Sequence, residues 1–348
     1  MNTVTNRRIV LAARPRGTAG LECFRLESVA LAAPREGEVL LRSVYLSLDP
    51  YMRGRMSDAP SYAPPVAVGE VMIGQTVSVV VASRHPDFQP GDRVLANSGW
   101  QEYELCTGRS LLKLSADIEP PSYALGVLGM PGFTAFVGLL DIGKPRPGET
   151  LVVAAATGAV GSVVGQIGKL QGCRVVGIAG GADKCAWAVH ELGFDDCIDH
   201  RSAALDAQLA AACPGGIDVY YENVGGKVFR AVLPLLNAHA RIPVCGLISQ
   251  YNETPAQSPG DVTQLMRTIL VKRLAVRGFI ISDGHEQRRP DFLESMVGWL
   301  RAGKIKYREH VVQGLDSAPE AFLDMLAGRN FGKVVIALGD AAGKEARA

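Results

Sequence analysis

"LVVAAATGAVGS", residues 151–162, decides the fold, because it has the pattern of a buried strand, a glycine turn and the start of a helix. Gly158 and Gly161 keep side chains away from the backbone where that helix begins. Unpaired N–H groups and the positive end of the helix dipole can hold a phosphate at such a place. The stretch predicts the first unit of a dinucleotide-binding domain. Ala155 and Ala156 stand where the usual first glycine makes the turn, so an alternative stays open, in which the glycines only allow close helix–strand packing.

The alternation of strand and helix continues from residue 150 to about residue 282. Short apolar runs alternate with segments of helical length whose apolar residues recur at helical spacing. Six strands joined by five crossovers form a complete α/β domain of the Rossmann type, a doubly wound parallel six-stranded sheet with helices on both faces. The predicted strands are 151–156, 173–179, 196–199, 218–221, 241–247 and 276–282, and the predicted helices are 160–171, 182–192, 203–212, 227–236 and 262–272.

The flanking segments predict a second domain. In the first 125 residues, brief alternating runs are broken by "PREGE", "HPDFQPGD" and several prolines, which is typical of a compact β-rich domain. The tail alternates again in "KYREHVV" and "GKVVIAL", and we expect it to fold back onto this first domain. The predicted organisation is therefore a β-rich domain at 1–125, a cofactor domain at 126–304 and a returning segment at 305–340.

The end of the second predicted strand indicates which dinucleotide is bound. An NAD site carries Asp or Glu there, about 20 residues beyond the glycines, to hold the ribose 2′-hydroxyl, whereas an NADP site replaces that acid with a cation. Here Gly180 and Gly181 stand at that place, Lys184 follows, and Arg201 follows the next strand. We therefore predict NADP(H) as the cofactor. Two alternatives remain, since Asp183 lies only two residues beyond Gly181 and Lys184 could be an ordinary solvated lysine.

Composition argues against several classes of function. The chain has 348 residues, of which 47% are hydrophobic and 20% charged, and its net charge of +1 favours neither nucleic acid nor an anionic membrane. No apolar stretch approaches a membrane span, and the seven cysteines include no C-x-x-C pair, so we expect a cytoplasmic protein with reduced thiols. No cluster of Cys, His and acidic residues has zinc-ligand spacing. We expect no metal, so organic groups must stabilise any charge that hydride transfer creates.

Several motifs together resemble one family. They are the glycine turn, "LSLDPYMRGRM" (46–56), "GMPGFTAFVGL" (129–139), "YYENVGG" (220–226), "CGLISQYN" (245–252), "GFIISD" (278–283) and "NFGKVV" (330–335). From about residue 8 to 337 the chain resembles the zinc-free double-bond reductases of the medium-chain dehydrogenase/reductase superfamily, and most closely their bacterial curcumin-reductase branch. The resemblance implies a GroES-like β-barrel domain, a Rossmann domain and a substrate cleft between them. Zinc-dependent relatives carry Cys near Asp49 and G-H-E near residues 68–70, where this chain has "SLDP" and "VGE".

The resemblance also implies which residues contact NADP(H). One departure from the family concerns His200, which stands where the animal reductases carry Tyr, so its contact with the 2′-phosphate depends on its protonation. The implied contacts are Thr134, Gly158, Ala159, Val160, Gly161, Gly180, Lys184, His200, Arg201, Asn223, Cys245, Gly246, Tyr251, Phe279, Ile280, Ile281 and Asn330.

Tyr251 is the predicted catalytic residue. Hydride delivered to the β-carbon of an α,β-unsaturated carbonyl makes the carbonyl oxygen negative, and a neutral phenol can donate a hydrogen bond to it. Tyr251 follows the fifth strand at the carboxyl edge of the sheet, and it matches the family's tyrosine beside the nicotinamide. Whether Tyr251 or solvent protonates the α-carbon stays open, as does the alternative that Tyr251 only packs. The predicted substrate contacts are Tyr51, Arg53 and Met130, with turn packing for Tyr51 and an ion pair for Arg53 as alternatives.

Together these features predict an enzyme that reduces the C=C bond of enones and alkenals with NADPH, curcumin-like substrates included. Two alternatives are an NADPH quinone oxidoreductase of the same superfamily and a non-catalytic NADPH-binding redox sensor. The expected partner is a small α,β-unsaturated carbonyl compound, with neither nucleic acid nor membrane involved. Relatives suggest a homodimer formed through an edge strand of the cofactor domain.

Overall fold

The computed structural model describes residues 3–252 and 262–339, so the outer ends of the predicted domains, residues 1–2 and 340, lie outside the described residues. The strands are β1 (Val4–Leu11), β2 (Phe24–Leu31), β3 (Val39–Ser47), β4 (Thr76–Ser83), β5 (Arg93–Ala96), β6 (Tyr103–Cys106), β7 (Leu112–Lys113), β8 (Thr150–Ala154), β9 (Arg174–Ala179), β10 (Asp196–Asp199), β11 (Ile217–Tyr221), β12 (Leu236–Val244), β13 (Ala275–Gly278), β14 (Glu309–Gln313) and β15 (Lys333–Ala337). The helices are α1 (Tyr51–Arg55), α2 (Met130–Val137), α3 (Gly161–Leu170), α4 (Ala182–His190), α5 (Leu205–Ala212), α6 (Gly226–Val232), α7 (Val262–Lys272), α8 (Arg289–Arg301) and α9 (Ala318–Leu326).

The chain divides into two compact units. One falls within Met1–Gly126 and Glu309–Ala348, and the other within Val127–Arg308. In the first unit, β1 pairs antiparallel with β2, and a larger sheet runs in the order β14-β15-β3-β4-β5-β7, with β6 also pairing with β3. Its core includes Trp100, which stacks on Phe24 and meets Phe322 edge to face. The first unit is therefore a mainly antiparallel β domain that includes the last strands of the described chain.

The second unit is built on a parallel sheet. Within the described residues its strand order is β10-β9-β8-β11-β12-β13, which is the Rossmann order, and each pair of neighbouring strands is parallel. Strand β8 is buried along its whole length, as expected of a strand covered by helices on both faces. The predicted α/β fold class is thus confirmed. No helix in the described part of the chain combines the length and the apolar character needed to cross a membrane.

The fifth and sixth strands were predicted at 241–247 and 276–282, whereas β12 spans Leu236–Val244 and β13 spans Ala275–Gly278. Strand β12 ends at Val244, although the apolar run continues to Leu247. The backbone N–H groups of Cys245 and Gly246 both donate to the carbonyl of Glu222, at 2.9 and 3.3 Å, so the chain turns across the end of β11 instead of extending the ladder. This turn places residues 245–251 at the carboxyl edge of the sheet, where open α/β sheets bind their ligands.

Candidate functional site

The glycine turn lies between β8 and α3, beside the point where the strand order reverses. Ala155 adopts a positive φ of 52°, which costs a residue with a β-carbon about 1 kcal/mol. A β-carbon added at Gly161 would lie 2.3 Å from the Ala155 carbonyl oxygen, so only glycine lets the helix start so close to the turn. Gly161 therefore serves close packing, as the alternative interpretation proposed. It also opens the first turn of α3, whose N–H groups have no partner within the helix.

Asn223 ties this turn to the neighbouring strand. It follows β11, and its Nδ2 donates a 2.8 Å hydrogen bond to the carbonyl of Ala154, the last residue of β8. The adjacent Glu222 accepts from the N–H groups of Val224 and Gly225 at 2.6 and 2.8 Å. Burial raises the pKa of the Glu222 carboxyl. Sequence analysis did not single out Glu222, which fixes the turn that carries Asn223.

The corner after β9 brings together the residues predicted to recognise the 2′-phosphate. A β-carbon added at Gly180 would lie 2.8 Å from Nε2 of His200 and 3.3 Å from Nη2 of Arg201. Gly181, with a φ of 102°, would place a β-carbon 3.4 Å from Nη1 of Arg201. The two glycines thus leave a cradle that is bounded by an imidazole and a guanidinium. Asp183 is exposed in the first turn of α4.

Positive charge is concentrated around this cradle. Burial lowers the pKa of the Lys184 ammonium, and the guanidinium of Arg201 lowers it further. Burial also lowers the pKa of His200, with a further contribution from Lys227 in the first turn of α6. A phosphate dianion would relieve this repulsion, and guanidinium groups match its oxygens well. The donor set therefore fits the 2′-phosphate of NADP(H).

The structure adds two charged residues at this corner that sequence analysis missed. One carboxylate oxygen of Asp199 accepts from the N–H groups of Gly181 and Arg201, at 3.0 and 2.9 Å. These hydrogen bonds hold the ends of β9 and β10 together, and the one from Arg201 is the main cause that lowers the pKa of Asp199. Lys227 stands 26 residues beyond Arg201, and no spacing rule links it to the second strand.

Tyr251 lies over the backbone that follows β12. Its phenol oxygen accepts from the N–H of Leu247 at 3.4 Å, and a β-carbon added at Gly246 would lie 3.0 Å from the same oxygen. A phenol that accepts a hydrogen bond still carries one hydrogen to donate. The side chain is partly buried at the carboxyl edge of the sheet. Residues 245–251, which include the predicted contacts Cys245, Gly246 and Tyr251, thus lie together on this side of the second unit.

A buried polar group connects α2 with this segment. The hydroxyl of Tyr221 donates to the carbonyl of Thr134 at 2.9 Å, and the Thr134 hydroxyl donates to the carbonyl of Met130 at 2.8 Å. Burial raises the pKa of the Cys245 thiol, which is hydrogen-bonded to Tyr221, to about 12. Phe279 reaches the same place, because a β-carbon added at Gly138 would lie 2.6 Å from its ring. The structure therefore groups Thr134, Met130, Cys245 and Phe279 within the second unit. Ile280 and Ile281 follow Phe279 and are partly buried.

Three predicted contacts belong to the first unit. Burial raises the pKa of Tyr51, and the carboxylate of Asp49 raises it further. Arg53 is buried in α1, where its guanidinium donates to the carbonyl of Gly17 at 2.7 Å and burial lowers its pKa. Nδ2 of Asn330 donates to the carbonyl of Gly332 at 2.8 Å. The roles of Tyr51, Arg53 and Asn330 toward substrate or cofactor stay predictions.

The position of the first zinc ligand in zinc-dependent relatives holds a buried ion pair. Nζ of Lys333 lies 2.6 Å from Oδ1 of Asp49 and 2.7 Å from the carbonyl oxygen of Leu48. Ser47 donates to the other carboxylate oxygen of Asp49. Glu70, at the other motif position, accepts from the N–H of Ala67 at 3.2 Å. Among the described residues, no group of three or more His, Cys, Asp or Glu side chains could hold a metal ion, so this donor set does not fit a catalytic zinc.

Comparison with known proteins agrees with this geometry. Residues 7–114 match the model described as the N-terminal domain of oxidoreductase, and residues 159–298 match the one described as zinc-binding dehydrogenase. An NADPH-dependent curcumin reductase of Escherichia coli is 61% identical over 95% of this chain and 96% of its own. A 2-alkenal reductase (NADP(+)-dependent) of Nicotiana tabacum is 39% identical over 96% of this chain and 97% of its own. The crystal structure of CurA from Vibrio vulnificus in complex with NADPH is 58% identical, with a TM-score of 0.93 over 96% of this chain and 99% of that one.

The parallel sheet of Rossmann order, the β-rich first unit and the cationic corner define a dinucleotide-dependent oxidoreductase of the medium-chain type. Within that class, the chain belongs to the zinc-free double-bond reductase family of the medium-chain dehydrogenase/reductase superfamily. The family predicted from the motifs is confirmed.

Proposed function

We propose that this protein reduces the C=C bond of α,β-unsaturated ketones and aldehydes with NADPH and without zinc. The observation that carries the proposal is the cradle at Gly180 and Gly181. The side chains of His200 and Arg201 border this cradle, and Lys184 lies next to it. Such a corner favours the 2′-phosphate over a free ribose hydroxyl. The names of the relatives supply the reaction class, because they describe reductases of curcumin and of 2-alkenals.

The residues that would hold the cofactor are those already grouped at the carboxyl edge of the second unit. The glycine turn and the first turn of α3 would hold the diphosphate, and Lys184, Arg201 and His200 the 2′-phosphate. Asn223, residues 245–251 and residues 279–281 lie at the same edge, with Thr134 beside them. When bound, NADPH supplies the hydride that reaches the β-carbon of the substrate.

Tyr251 stabilises the negative charge that develops on the substrate carbonyl oxygen. Its hydroxyl donates a hydrogen bond to that oxygen, and a donor already in place costs no reorganisation during the reaction. The N–H of Leu247 supports this role, because a donor to the phenol oxygen holds the ring in place. The α-carbon then takes up a proton, either from Tyr251 or from solvent.

Substrate recognition involves Tyr51 and Met130 in this proposal. A raised pKa keeps the Tyr51 phenol neutral and able to donate, which suits an uncharged carbonyl compound. Met130 is a flexible apolar residue at the start of α2, suited to lining a pocket for varied substrates. The contact of Arg53 with Gly17 favours a positioning role for this buried cation in α1 over direct substrate contact.

The proposal is tested by following NADPH consumption, beside NADH, with a simple enone, an alkenal, a curcumin-like diaryl enone and a quinone. The expected result is NADPH-specific turnover of the enones, with products that have lost the C=C bond and kept the carbonyl. Turnover of the quinone alone would favour the quinone oxidoreductase. Binding of NADPH without turnover of any acceptor would favour the redox sensor.

We also propose that the protein is a homodimer formed through β13 and α7. Strand β13 lies at the edge of the described sheet, and all four of its residues are exposed. Helix α7 packs Leu265 and Ile269 against the core. Val262, Met266 and Leu270, at helical spacing, are 68%, 59% and 76% exposed. An apolar helix face beside an unpaired strand edge is suited to pairing with a second copy.

Light scattering tests the homodimer. The unmodified protein should have the mass of a dimer, and the Leu270→Asp variant should have the mass of a monomer. A monomeric unmodified protein would contradict the proposal.

A cytoplasmic location remains part of the proposal. All seven cysteines are free thiols, which fits a reducing compartment better than a secreted one. Fractionation of the source cells with an antibody to the protein should place it in the cytosolic fraction; recovery from an oxidising compartment would contradict this.

A further inference from the structure

Two cysteines flank the cationic corner from different elements. Cys185 lies in α4, one residue after Lys184, and Cys197 lies in β10, three residues before His200. Both side chains are partly buried, so neither is sealed in the core. A covalent link between them would therefore join the two elements that carry the predicted 2′-phosphate ligands.

The sulfur atoms of these cysteines both lie close to β9. Cys197 is the register partner of Gly177, and a β-carbon added at Gly177 would lie 3.0 Å from Cys197 Sγ. The Cys185 sulfur interacts with the backbone of Ala179, two residues along β9, and is hydrogen-bonded to the thiol of Cys197. The absence of a side chain at Gly177 thus makes room for the Cys197 thiol, which is hydrogen-bonded to the Cys185 thiol.

Of the two thiols, Cys185 should be oxidised first. The hydrogen bond from Cys197 lowers the pKa of Cys185, because it stabilises the thiolate. Burial raises the pKa of the thiols of Cys106, Cys173, Cys213 and Cys245. A thiolate is the reactive form towards peroxide, so oxidation should begin at Cys185.

We propose that Cys185 and Cys197 form a reversible disulfide in the presence of hydrogen peroxide, and that this disulfide weakens NADPH binding. The Cys185 thiolate attacks one peroxide oxygen, the O–O bond breaks, and Cys185 becomes a sulfenic acid. The departing hydroxide takes up the proton that the Cys185 thiol had lost and becomes water. The Cys197 sulfur then attacks the Cys185 sulfur, the S–S bond forms, and the sulfenic hydroxyl leaves as water with the Cys197 proton. In sum, two thiols and one hydrogen peroxide give one disulfide and two water molecules. A thiol reductant reverses the step by exchange.

The effect on NADPH rests on the proposed function of the same corner. Bonding the two sulfurs draws the start of α4 towards β10, and with it Lys184, relative to the cradle at Gly180 and Gly181. Charge-assisted hydrogen bonds to a phosphate depend on geometry, so a displaced Lys184 should bind it less well. We expect the dissociation constant for NADPH to rise about 10-fold on oxidation, which corresponds to about 1.4 kcal/mol.

The test compares reduced and peroxide-treated protein. Peptide mass spectrometry without reduction should find the peptides of Cys185 and Cys197 joined, and fluorescence titration should show weaker NADPH binding that dithiothreitol restores. Cys185→Ser and Cys197→Ser should each abolish both effects, whereas Cys213→Ser, the matched control, should keep them. Absence of the joined peptide, or unchanged NADPH affinity once it has formed, would overturn the inference. Failure of the reduced protein to bind NADPH would instead contradict the proposed function.

Discussion

Nζ of Lys333 lies 2.6 Å from Oδ1 of Asp49, with the Lys333 side chain 1% exposed and that of Asp49 7% exposed. The pair joins β15 to the end of β3, at the place where zinc-dependent relatives carry a metal ligand. In this chain the residue at that place is Asp49, and its carboxylate is paired with Lys333 within the first unit. The Leu48 carbonyl accepts a second hydrogen bond from Nζ of Lys333, and the Ser47 hydroxyl donates one to the other carboxylate oxygen of Asp49.

Lys333→Met should lower the free energy of unfolding by about 3 to 5 kcal/mol, because it leaves a buried carboxylate without its cation. Urea unfolding followed by tryptophan fluorescence measures this, since Trp100 lies in the core of the first unit. Adding Asp49→Leu to that variant should restore most of the loss. The matched control is Lys306→Met, because Lys306 pairs with Glu191 on the surface, with both side chains about half exposed. Equal stability of Lys333→Met and the unmodified protein would show that the pair contributes nothing.

Lys184→Ala and Arg201→Ala should each raise KM for NADPH by about 10- to 100-fold, because each removes a charged hydrogen bond worth about 1.5 to 3 kcal/mol. KM for NADH should stay within about 2-fold, since that cofactor lacks the 2′-phosphate. Steady-state kinetics with both cofactors separates specificity from general damage, and Lys306→Ala serves as the surface control. A parallel loss for NADPH and NADH would remove these residues from 2′-phosphate recognition.

NADPH affinity should rise as pH falls through the pKa of His200. Burial and Lys227 lower that pKa below its usual value of 6.5, so the ring is neutral at pH 7 and gains its charge only in more acidic solution. The charged ring attracts the 2′-phosphate, and binding of the phosphate in turn favours protonation. The NADPH dissociation constant, plotted against pH from about pH 5 to pH 8, should therefore have a different slope for the unmodified protein than for His200→Gln. The variant also corrects for protonation of the phosphate itself, whose pKa is about 6. Parallel curves would exclude His200 from the contact.

Tyr251→Phe should slow enone reduction by about 10- to 1000-fold, because it removes a donor to the developing oxyanion. NADPH binding should persist, and quinone reduction should fall less, since a quinone depends less on that donor. Tyr62→Phe is the control, because Tyr62 is an exposed phenol in the first unit. Unchanged enone turnover in Tyr251→Phe would leave Tyr251 a packing residue only.

The sequence predicted the cofactor domain well because its strands are buried on both faces and therefore form continuous apolar runs. It predicted the wrong end for β12, since Cys245 and Gly246 are as apolar as the strand before them. Their N–H groups bond to the carbonyl of Glu222, a contact across more than 20 residues that periodicity does not contain.

The candidate site was predictable where a residue type is tied to a local motif. Gly158, Gly161 and Gly180 stand in the first two strand–helix units, and the fold brings His200 and Arg201 over Gly180 as expected of an NADP corner. Lys227 and Asp199 were not predicted. Lys227 comes near His200 only through the packing of the sheet, and the carboxylate of Asp199 accepts from two backbone N–H groups at the same corner.

The most direct test of the central claim is the fate of a labelled hydride. NADPH deuterated at the transferred position should be incubated with a simple enone, and the product examined by nuclear magnetic resonance. The expected product is a saturated ketone with one deuterium on the carbon that was β to the carbonyl. Deuterium on the carbonyl carbon, in an allylic alcohol, would contradict it.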